Sequence, residues 1–314
     1  MSTSAYNPEI TYTANQPYNQ NPAYQLHATI LEPAEYDSDD GSLKLTYRPF
    51  QLNSTIYGNP ALLRELSAFR YRKVTHQTNK YIWKYEFRHK AQAILPYLHL
   101  GPAAVARDVV YITQNNISMV IAVRSAQSAR THPKLLDPSR FSSCANLQTA
   151  TFDVDSPFHV IQGIQPMIKT MTDHLDAHTT IRPLTSLEDV GGRILVICES
   201  GNDRSPVLVA AYLMLLYGIA WHESLNLIHA YRFSVSLSGN MNHMLKTLDG
   251  MFRAEADTAV FNTIANRHQA KEEGGEGRRV SKRTIDDTCD SDETMTDEQE
   301  VSTRPGIAPF ADAA

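Results

Sequence analysis

The sequence has few cysteines and no long uninterrupted apolar run. Its three cysteines, Cys144, Cys198 and Cys289, are too few and too far apart for a disulfide framework or a zinc site. The longest apolar stretch, residues 207–221, is interrupted by Gly218 and is shorter than the roughly 20 residues that a bilayer requires. We therefore expect a buried core helix there, no membrane segment, and a reducing compartment, the cytoplasm or the nucleus.

Other classes of protein are disfavoured by charge and by the first residues of the chain. The net charge of -5 gives no reason to expect a nucleic-acid partner. Residues 1–24 are rich in Asn, Gln, Tyr and Pro and contain no apolar segment of the signal-peptide kind. No cluster of ligand residues suggests a metal, and no motif suggests a cofactor.

Composition predicts one folded domain between two tails. Residues 1–80 are predicted to be a mostly disordered extension, although Leu62, Leu63, Leu66 and Phe69 lie at helical spacing. Residues 85–261 are predicted to form the domain. Residues 262–314 are polar and strongly charged, and are predicted to be a disordered tail.

Within the predicted domain, strands alternate with helices, which predicts an α/β fold with a mostly parallel central sheet flanked by helices. The predicted strands are residues 94–98, 118–123, 147–154 and 194–197, and residues 100–102 are predicted to form a turn. The predicted helices are residues 103–113, 160–178, 206–217, 221–231 and 241–253.

The segment 198–205 lies where an apolar strand ends and a helix begins, which is where α/β sheets bind ligands. Ser205 is a suitable N-cap and Pro206 a suitable first helical residue. Gly201 permits a tight turn in which the loop amides converge on an anion. The predicted phosphate-binding residues are Glu199, Ser200, Gly201, Asn202, Asp203 and Arg204.

The residues of this loop suit phosphoryl transfer through a covalent intermediate. Cys198 would attack phosphorus as a thiolate, Arg204 would hold two phosphate oxygens, and Ser205 would stabilise the sulfur as it leaves. The spacing of cysteine and arginine alone is weak evidence, because an isolated cysteine at a strand end is usually an inert core residue. The glycine, the preceding strand and the Pro-started helix strengthen the prediction.

A general acid would protonate the leaving group from across the cleft. Asp155 is the first candidate because it follows a predicted strand, and Asp153 is the alternative, although alternation places it within the strand. Either could instead serve a turn, because Ser156 and Pro157 follow. Arg232 and Asn240 either support the loop or simply link helices.

The sequence resembles the dual-specificity branch of the cysteine-based protein phosphatases. The resemblance rests on the segments 94–102, 116–121, 204–206, 211–214 and 231–232, with Asn240. Residues 85–89, 123–124, 155–157 and 282–284 are most similar to the serine/threonine/tyrosine-interacting pseudophosphatases. The resemblance implies a phosphatase fold and a phosphorylated protein as partner, a kinase or ubiquitin-ligase component among them.

Two features depart from this pattern in opposite directions. The pseudophosphatases typically lack the nucleophile, whereas Cys198 is present. Active members typically have a histidine before the cysteine, whereas Ile197 stands here. In addition, the carboxylates of Glu199 and Asp203 would repel phosphate or occupy Arg204 if they faced it.

Two hypotheses follow. In the first, the domain recognises phosphorylated proteins with weak or no hydrolysis. In the second, it is a working phosphatase acting on phosphotyrosine and on phosphoserine or phosphothreonine through a phosphocysteine. A lipid or RNA phosphatase would typically carry basic residues between Cys198 and Arg204, and there are none. The basic cluster 278–283, which precedes an acidic segment, could act as a nuclear import signal or be only a solvated tail.

Overall fold

The computed structural model describes residues 35–39, 43–48, 55–69, 83–131, 136–137, 147–154 and 156–273. The strands are β1 Gln92–Leu95, β2 Leu98–Pro102, β3 Met119–Arg124, β4 Gln148–Asp153 and β5 Ile194–Cys198. The α-helices are α1 Pro60–Ala68, α2 Val109–Gln114, α3 Ala126–Thr131, α4 Pro157–His178, α5 Ser205–Tyr217, α6 Trp221–Tyr231 and α7 Gly239–Glu273. Short 3₁₀ helices are Thr55–Tyr57, Tyr85–His89, Ala103–Arg107 and Leu187–Asp189.

The five strands form one sheet in the order β1-β2-β5-β3-β4. Neighbouring strands are parallel except for β1, which pairs antiparallel with β2. The predicted α/β class with a mostly parallel sheet is confirmed. The single strand predicted at residues 94–98 is two strands, because the chain reverses at Pro96 and Tyr97, and the predicted turn 100–102 is the end of β2.

The central strand β5 is buried along its whole length because both faces of the sheet are covered. Val196 faces the larger apolar cluster, which contains α4 and α5. Leu195 and Ile197 face a smaller cluster on the other side, with Val105 and Ile112. Every residue of α5 is buried, so residues 207–217 of the apolar stretch form the predicted core helix, which ends before Gly218.

The N-terminal part of the chain joins this core, which corrects the predicted domain boundary at residue 85. Helix α1 begins where Asn59 accepts a hydrogen bond from the Ala61 amide and Pro60 occupies the first turn. Its residues Leu62, Leu63 and Leu66 are fully buried in the larger cluster. The apolar face of this helix contacts α4 and α5, and the folded unit therefore begins well before residue 85.

Contacts from two further N-terminal segments support this correction. The amide of Thr46 donates to Glu223 Oε1 at 2.7 Å. Tyr57 donates to Glu255 Oε2 at 2.8 Å and packs edge-on against Phe252, with ring centroids 6.0 Å apart. These contacts attach the segment before the sheet to α6 and α7.

Helix α7 extends to Glu273, beyond the predicted end of the domain at residue 261. Its buried apolar residues end at Phe252, and Phe261 and Ile264 are exposed. The chain divides into compact units at residue 265, and the second unit is described only up to residue 273. The basic cluster 278–283 lies outside the described residues.

Within the described ranges, no single helix is long and apolar enough to cross a membrane. Helices α5 and α6 reach that length and composition only as a pair, and the chain bends by 118° between them.

Candidate active site

The segment between β5 and α5 is pressed against the end of β2. Cys198, the last residue of β5, is in register with Pro102. Gly201 has a φ of +73°, and a Cβ atom there would lie 2.4 Å from the carbonyl carbon of Gly101. Only glycine fits both the left-handed backbone and the close approach. The predicted role of Gly201 as the residue that permits the tight loop agrees with this geometry.

Cys198 is the only free cysteine among the described residues, and it is 1% exposed. Its sulfur accepts a hydrogen bond from the Gly201 amide and another from the Ser205 hydroxyl, each at 3.2 Å. Both donors stabilise a negatively charged sulfur more than a neutral one. The sulfur is therefore placed beside an amide, a hydroxyl and the N-terminus of α5.

Ser205 was predicted to be the helix cap, and this prediction is wrong. Helix α5 begins at Ser205, and Arg204 occupies the cap position without a side-chain cap hydrogen bond. The Ser205 hydroxyl is committed to the sulfur instead of to a backbone amide. The predicted interaction of Ser205 with the sulfur of Cys198 is present in the structure.

Arg232 holds the loop from behind. This side chain is fully buried, and its guanidinium donates to the carbonyls of Gly201 at 2.9 Å and Ser200 at 3.0 Å. It also donates to Asn202 Oδ1 at 3.1 Å. The sequence left two roles open for Arg232, supporting the loop and linking helices. The structure shows that it supports the loop.

The remaining hydrogen bonds of Arg232 reach the segment that leads into β1 and the first residue of that strand. They reach the Arg88 carbonyl and the Lys90 carbonyl at 2.7 Å each, and the side chain of Gln92. Burial lowers the pKa of Arg232 to about 10, and the negative charge of Cys198 acts in the opposite direction. The guanidinium therefore remains charged at neutral pH, and all its described hydrogen-bond partners are oxygen acceptors.

These contacts turn the loop amides toward the sulfur side. A trans peptide points its N–H opposite to its C=O. Hydrogen bonds from Arg232 orient the carbonyls of Ser200 and Gly201 away from the sulfur. The Ser236 amide donates to the Asn202 carbonyl on the same side, at an N···O distance of 2.9 Å. The Gly201 amide accordingly faces Cys198. The Asn202 amide is bonded to Ser200 Oγ at 3.2 Å, so the predicted convergence of all the loop amides is not complete.

The two loop carboxylates have different partners. Glu199 Oε2 lies 2.5 Å from Arg204 Nη1, and both side chains are about a quarter exposed, at 27% and 26%. Asp203 Oδ1 instead accepts a hydrogen bond from the Ser238 amide at 3.3 Å, just before α7. The possibility that a loop carboxylate would occupy the arginine is therefore realised by Glu199 and not by Asp203.

The predicted general acid, Asp155, lies outside the described residues, so its role stays a prediction. The alternative, Asp153, is paired with Arg124 at 2.5 Å and is half exposed. Ser156 caps α4 by accepting from the His159 amide at 3.3 Å. Ser156 therefore has the capping role that was considered as an alternative for this segment.

Three serines that sequence reasoning missed also position the loop. Ser234 donates to Asn202 Oδ1 at 3.0 Å, Ser236 uses its amide on the Asn202 carbonyl, and Ser238 uses its amide on Asp203. A serine at every second position directly after Arg232 is the one sequence signal that could have identified them. Asn240, in contrast, is exposed at the start of α7, and no described hydrogen bond joins it to the loop.

Comparisons with known proteins agree with this geometry. Residues 98–249 match the model of the dual specificity phosphatase catalytic domain. Serine/threonine/tyrosine-interacting protein A of Xenopus laevis is 26% identical over 210 residues, which cover 65% of this chain and 84% of that protein. The human serine/threonine/tyrosine-interacting protein is 25% identical over 186 residues, 58% of this chain and 74% of that one.

A crystal structure of the human tyrosine phosphatase-like serine/threonine/tyrosine-interacting protein also aligns with the chain. The alignment covers 52% of this chain and 97% of that one, with 23% identity and a TM-score of 0.41. The matched sequence region contains the sheet from β2 onward, the loop between β5 and α5, and Arg232. Residues 98–249 therefore form a domain of the dual-specificity phosphatase type, and the chain is similar to the serine/threonine/tyrosine-interacting proteins.

Proposed function

We propose that this phosphatase-like domain recognises phosphorylated proteins and hydrolyses them slowly or not at all. The observation that carries the proposal is the geometry of the loop. Arg232 binds the carbonyls of the loop from behind, and Arg204 lies at the start of α5. A guanidinium and a helix N-terminus together provide the donors that a phosphate monoester requires.

Two features favour slow turnover. Ile197 is fully buried in the smaller apolar cluster, so the position before the cysteine supplies no imidazole to order the loop or stabilise its charge. Glu199 places a carboxylate on the guanidinium that would stabilise the charge of the transferring phosphoryl group. Both features weaken transition-state stabilisation more than they weaken binding of a phosphorylated side chain.

The partner is proposed to be a phosphorylated protein, and by family resemblance a kinase or a component of a ubiquitin ligase. The names of the relatives describe interaction with serine, threonine and tyrosine, which agrees with recognition of phosphorylated hydroxyl side chains. A cytoplasmic or nuclear location remains part of the proposal.

The second candidate function is an active dual-specificity phosphatase, and the hydrogen bonds to Cys198 favour it. The thiolate would attack phosphorus, so that the S–P bond forms and the bond from phosphorus to the leaving oxygen breaks. The leaving oxygen would take a proton, for which Asp155 remains the candidate. Water would then hydrolyse the phosphocysteine and restore the thiol.

The proposal is tested with purified full-length protein, an aryl phosphate and a phosphotyrosine peptide. We expect the parent and a Cys198→Ser variant to show equally negligible hydrolysis. We also expect the parent to bind the phosphopeptide in preference to its unphosphorylated form. Arg204→Ala should abolish that preference, whereas Arg64→Ala, which removes an exposed arginine on α1, should preserve it.

A vanadate-sensitive rate that is present in the parent and absent in Cys198→Ser would decide for the enzyme. Equal binding of phosphorylated and unphosphorylated peptides by the parent would contradict recognition of phosphate by this loop.

A further inference from the structure

The charged side chains of the loop sum to a net charge of -1. Between Cys198 and Ser205, the only cation is Arg204, and the anions are Glu199 and Asp203. The next nearby cation, Arg232, is fully buried and directs its donors to carbonyl and amide oxygens behind the loop. A phosphorylated side chain carries between one and two negative charges near neutral pH, roughly -1.5 to -2. The loop's own side chains therefore offer a dianion no net positive charge, although Arg204 is a cation.

The contact between Glu199 and Arg204 leaves part of the guanidinium available. Glu199 touches Nη1 only, and no hydrogen bond to Nε or Nη2 is found within the described residues. Those two nitrogens form an edge that can bind two phosphate oxygens side by side. Phosphate can thus bind Arg204 while the carboxylate stays on the other edge of the same group.

In that arrangement the carboxylate lies beside the bound phosphate. Glu199 directly follows Cys198 in the chain, and its oxygen is held at 2.5 Å from a guanidinium nitrogen. Charges a few Å apart in a partly exposed site interact appreciably, because solvent screens them less than in bulk water. A ligand that supplies a cation of its own next to the phosphate would remove this repulsion.

We infer that Glu199 is a specificity-determining residue that makes the loop prefer phosphorylated sites flanked by lysine or arginine. The inference rests on the proposed function, since it requires that the loop bind phosphorylated peptides. It assigns the preference to one carboxylate, which neighbours both the phosphate-binding guanidinium and the loop surface where a ligand's adjacent residues would lie.

Asp203 is the internal comparison for this inference. It carries the same charge and directly precedes Arg204 in the chain. Its carboxylate, however, accepts from the Ser238 amide and has no described contact with the guanidinium. Removing the charge of Asp203 therefore changes the net charge of the loop equally without changing the partner of Arg204.

The test uses two phosphotyrosine peptides that differ only in having lysine or glutamate on either side of the phosphorylated residue, each measured beside its unphosphorylated form. Affinities are measured for three full-length proteins that share Cys198→Ser to prevent turnover: the otherwise unchanged chain, Glu199→Gln and Asp203→Asn. We expect the unchanged chain to bind the lysine-flanked peptide at least about tenfold more tightly. This factor corresponds to roughly 1.4 kcal/mol.

We expect Glu199→Gln to reduce that ratio to about threefold or less, mainly by binding the glutamate-flanked peptide more tightly. Asp203→Asn should keep the ratio within about twofold of the unchanged chain. Glu199→Ala is the second variant if the glutamine variant does not fold, and thermal unfolding of each protein confirms that the fold is retained.

The outcomes separate the inference from the proposed function. If phosphorylated peptides are preferred over unphosphorylated ones, but the flanking ratio is the same with and without Glu199, the specificity role is overturned and recognition of phosphate stands. The specificity role is likewise overturned if Asp203→Asn lowers the ratio as much as Glu199→Gln. If no variant distinguishes phosphorylated from unphosphorylated peptides, both the proposed function and the inference are overturned.

Discussion

Two arginines hold or form the loop at residues 198–205, and they differ in burial and in the number of their partners. Arg232, behind the loop, is fully buried and donates to six oxygens from the loop, from the segment before β1 and from Gln92 at the start of β1. Arg204, in front of it, is a quarter exposed and has one described partner, Glu199. The first arrangement fixes the backbone of the loop, and the second leaves donors for a ligand. The buried guanidinium serves structure, and the partly exposed one is the group to which we assign the proposed recognition of phosphate.

The largest expected effect comes from removing the support behind the loop. Arg232→Ala would leave several buried carbonyls without donors, and unsatisfied buried acceptors cost about 1–3 kcal/mol each. We expect the free energy of unfolding to fall by about 4 kcal/mol and phosphopeptide binding to be lost, although Arg232 is not expected to touch the ligand. Urea unfolding and peptide titration measure the two effects.

Arg232→Lys is the matched control. Lysine keeps the charge but has three donors and no planar fork, so we expect an intermediate loss of stability. A change of less than about 1 kcal/mol in the alanine variant would show that the loop keeps its shape without Arg232.

The same core that holds the loop extends to the N-terminal helix α1. Leu63 is fully buried there, whereas Arg64 is on the exposed side of the same helix. We expect Leu63→Ala to lower the free energy of unfolding by about 3 kcal/mol, through lost apolar burial and the cavity that remains. Arg64→Ala should change it by less than about 0.5 kcal/mol. Equal effects in urea unfolding would contradict docking of α1 on the domain.

Sequence patterns predicted the sheet and the loop because their causes are local. Parallel strands buried on both faces produce continuous apolar segments such as residues 118–123 and 194–197. A strand, a glycine loop and Pro206 mark the site. Gly218, with a φ of +62°, ends α5 where the sequence predicted a break.

Features that depend on distant residues could not be predicted in the same way. Thr46 meets Glu223 across 177 residues of sequence, and nothing near Thr46 encodes that partner. Glu199 and Asp203 have different partners because Asp203 accepts a hydrogen bond from the Ser238 amide. Ser238 follows α6 in the chain and is distant from the loop in sequence. Sequence reasoning recognised that a carboxylate could occupy Arg204 but not which of the two would.

Two buried histidines in the scaffold should make stability depend on pH. Burial lowers the pKa of His99 to about 4, and the charge of Arg193 acts in the same direction. Burial lowers the pKa of His174 to about 4 as well, with a smaller effect from His178. The unfolded chain, with histidine pKa values near 6.5, therefore binds more protons between pH 4 and 6.5. Stability is retained above pH 6.5 and is lost as the pH falls through this window.

Each of these histidines should contribute a loss of about 1.5 kcal/mol between pH 6.5 and 5. Urea unfolding at the two pH values measures it. Replacing the buried His174 by Gln should make the difference smaller, and the same replacement of the exposed His243 should leave it unchanged. A pH difference that survives unaltered in the His174 variant would contradict its neutral buried state.

The smallest expected effect concerns the front of the loop, where Ser205 donates to Cys198. Ser205→Ala removes one of the two described donors to the sulfur, and a hydrogen bond to a charged group contributes about 1.5–3 kcal/mol. We expect alkylation of Cys198 by iodoacetamide, followed by mass spectrometry of its peptide, to slow about tenfold.

Ser200→Ala is the control, because Ser200 Oγ accepts from the Asn202 amide and has no described contact with the sulfur. If both variants slowed alkylation equally, the effect would come from a general loosening of the loop. If neither did, the Gly201 amide and the helix N-terminus would be sufficient to hold the thiolate. A loss confined to Ser205→Ala would mean that the front of this loop still prepares its cysteine for chemistry, in spite of the slow turnover that we propose from Ile197 and Glu199.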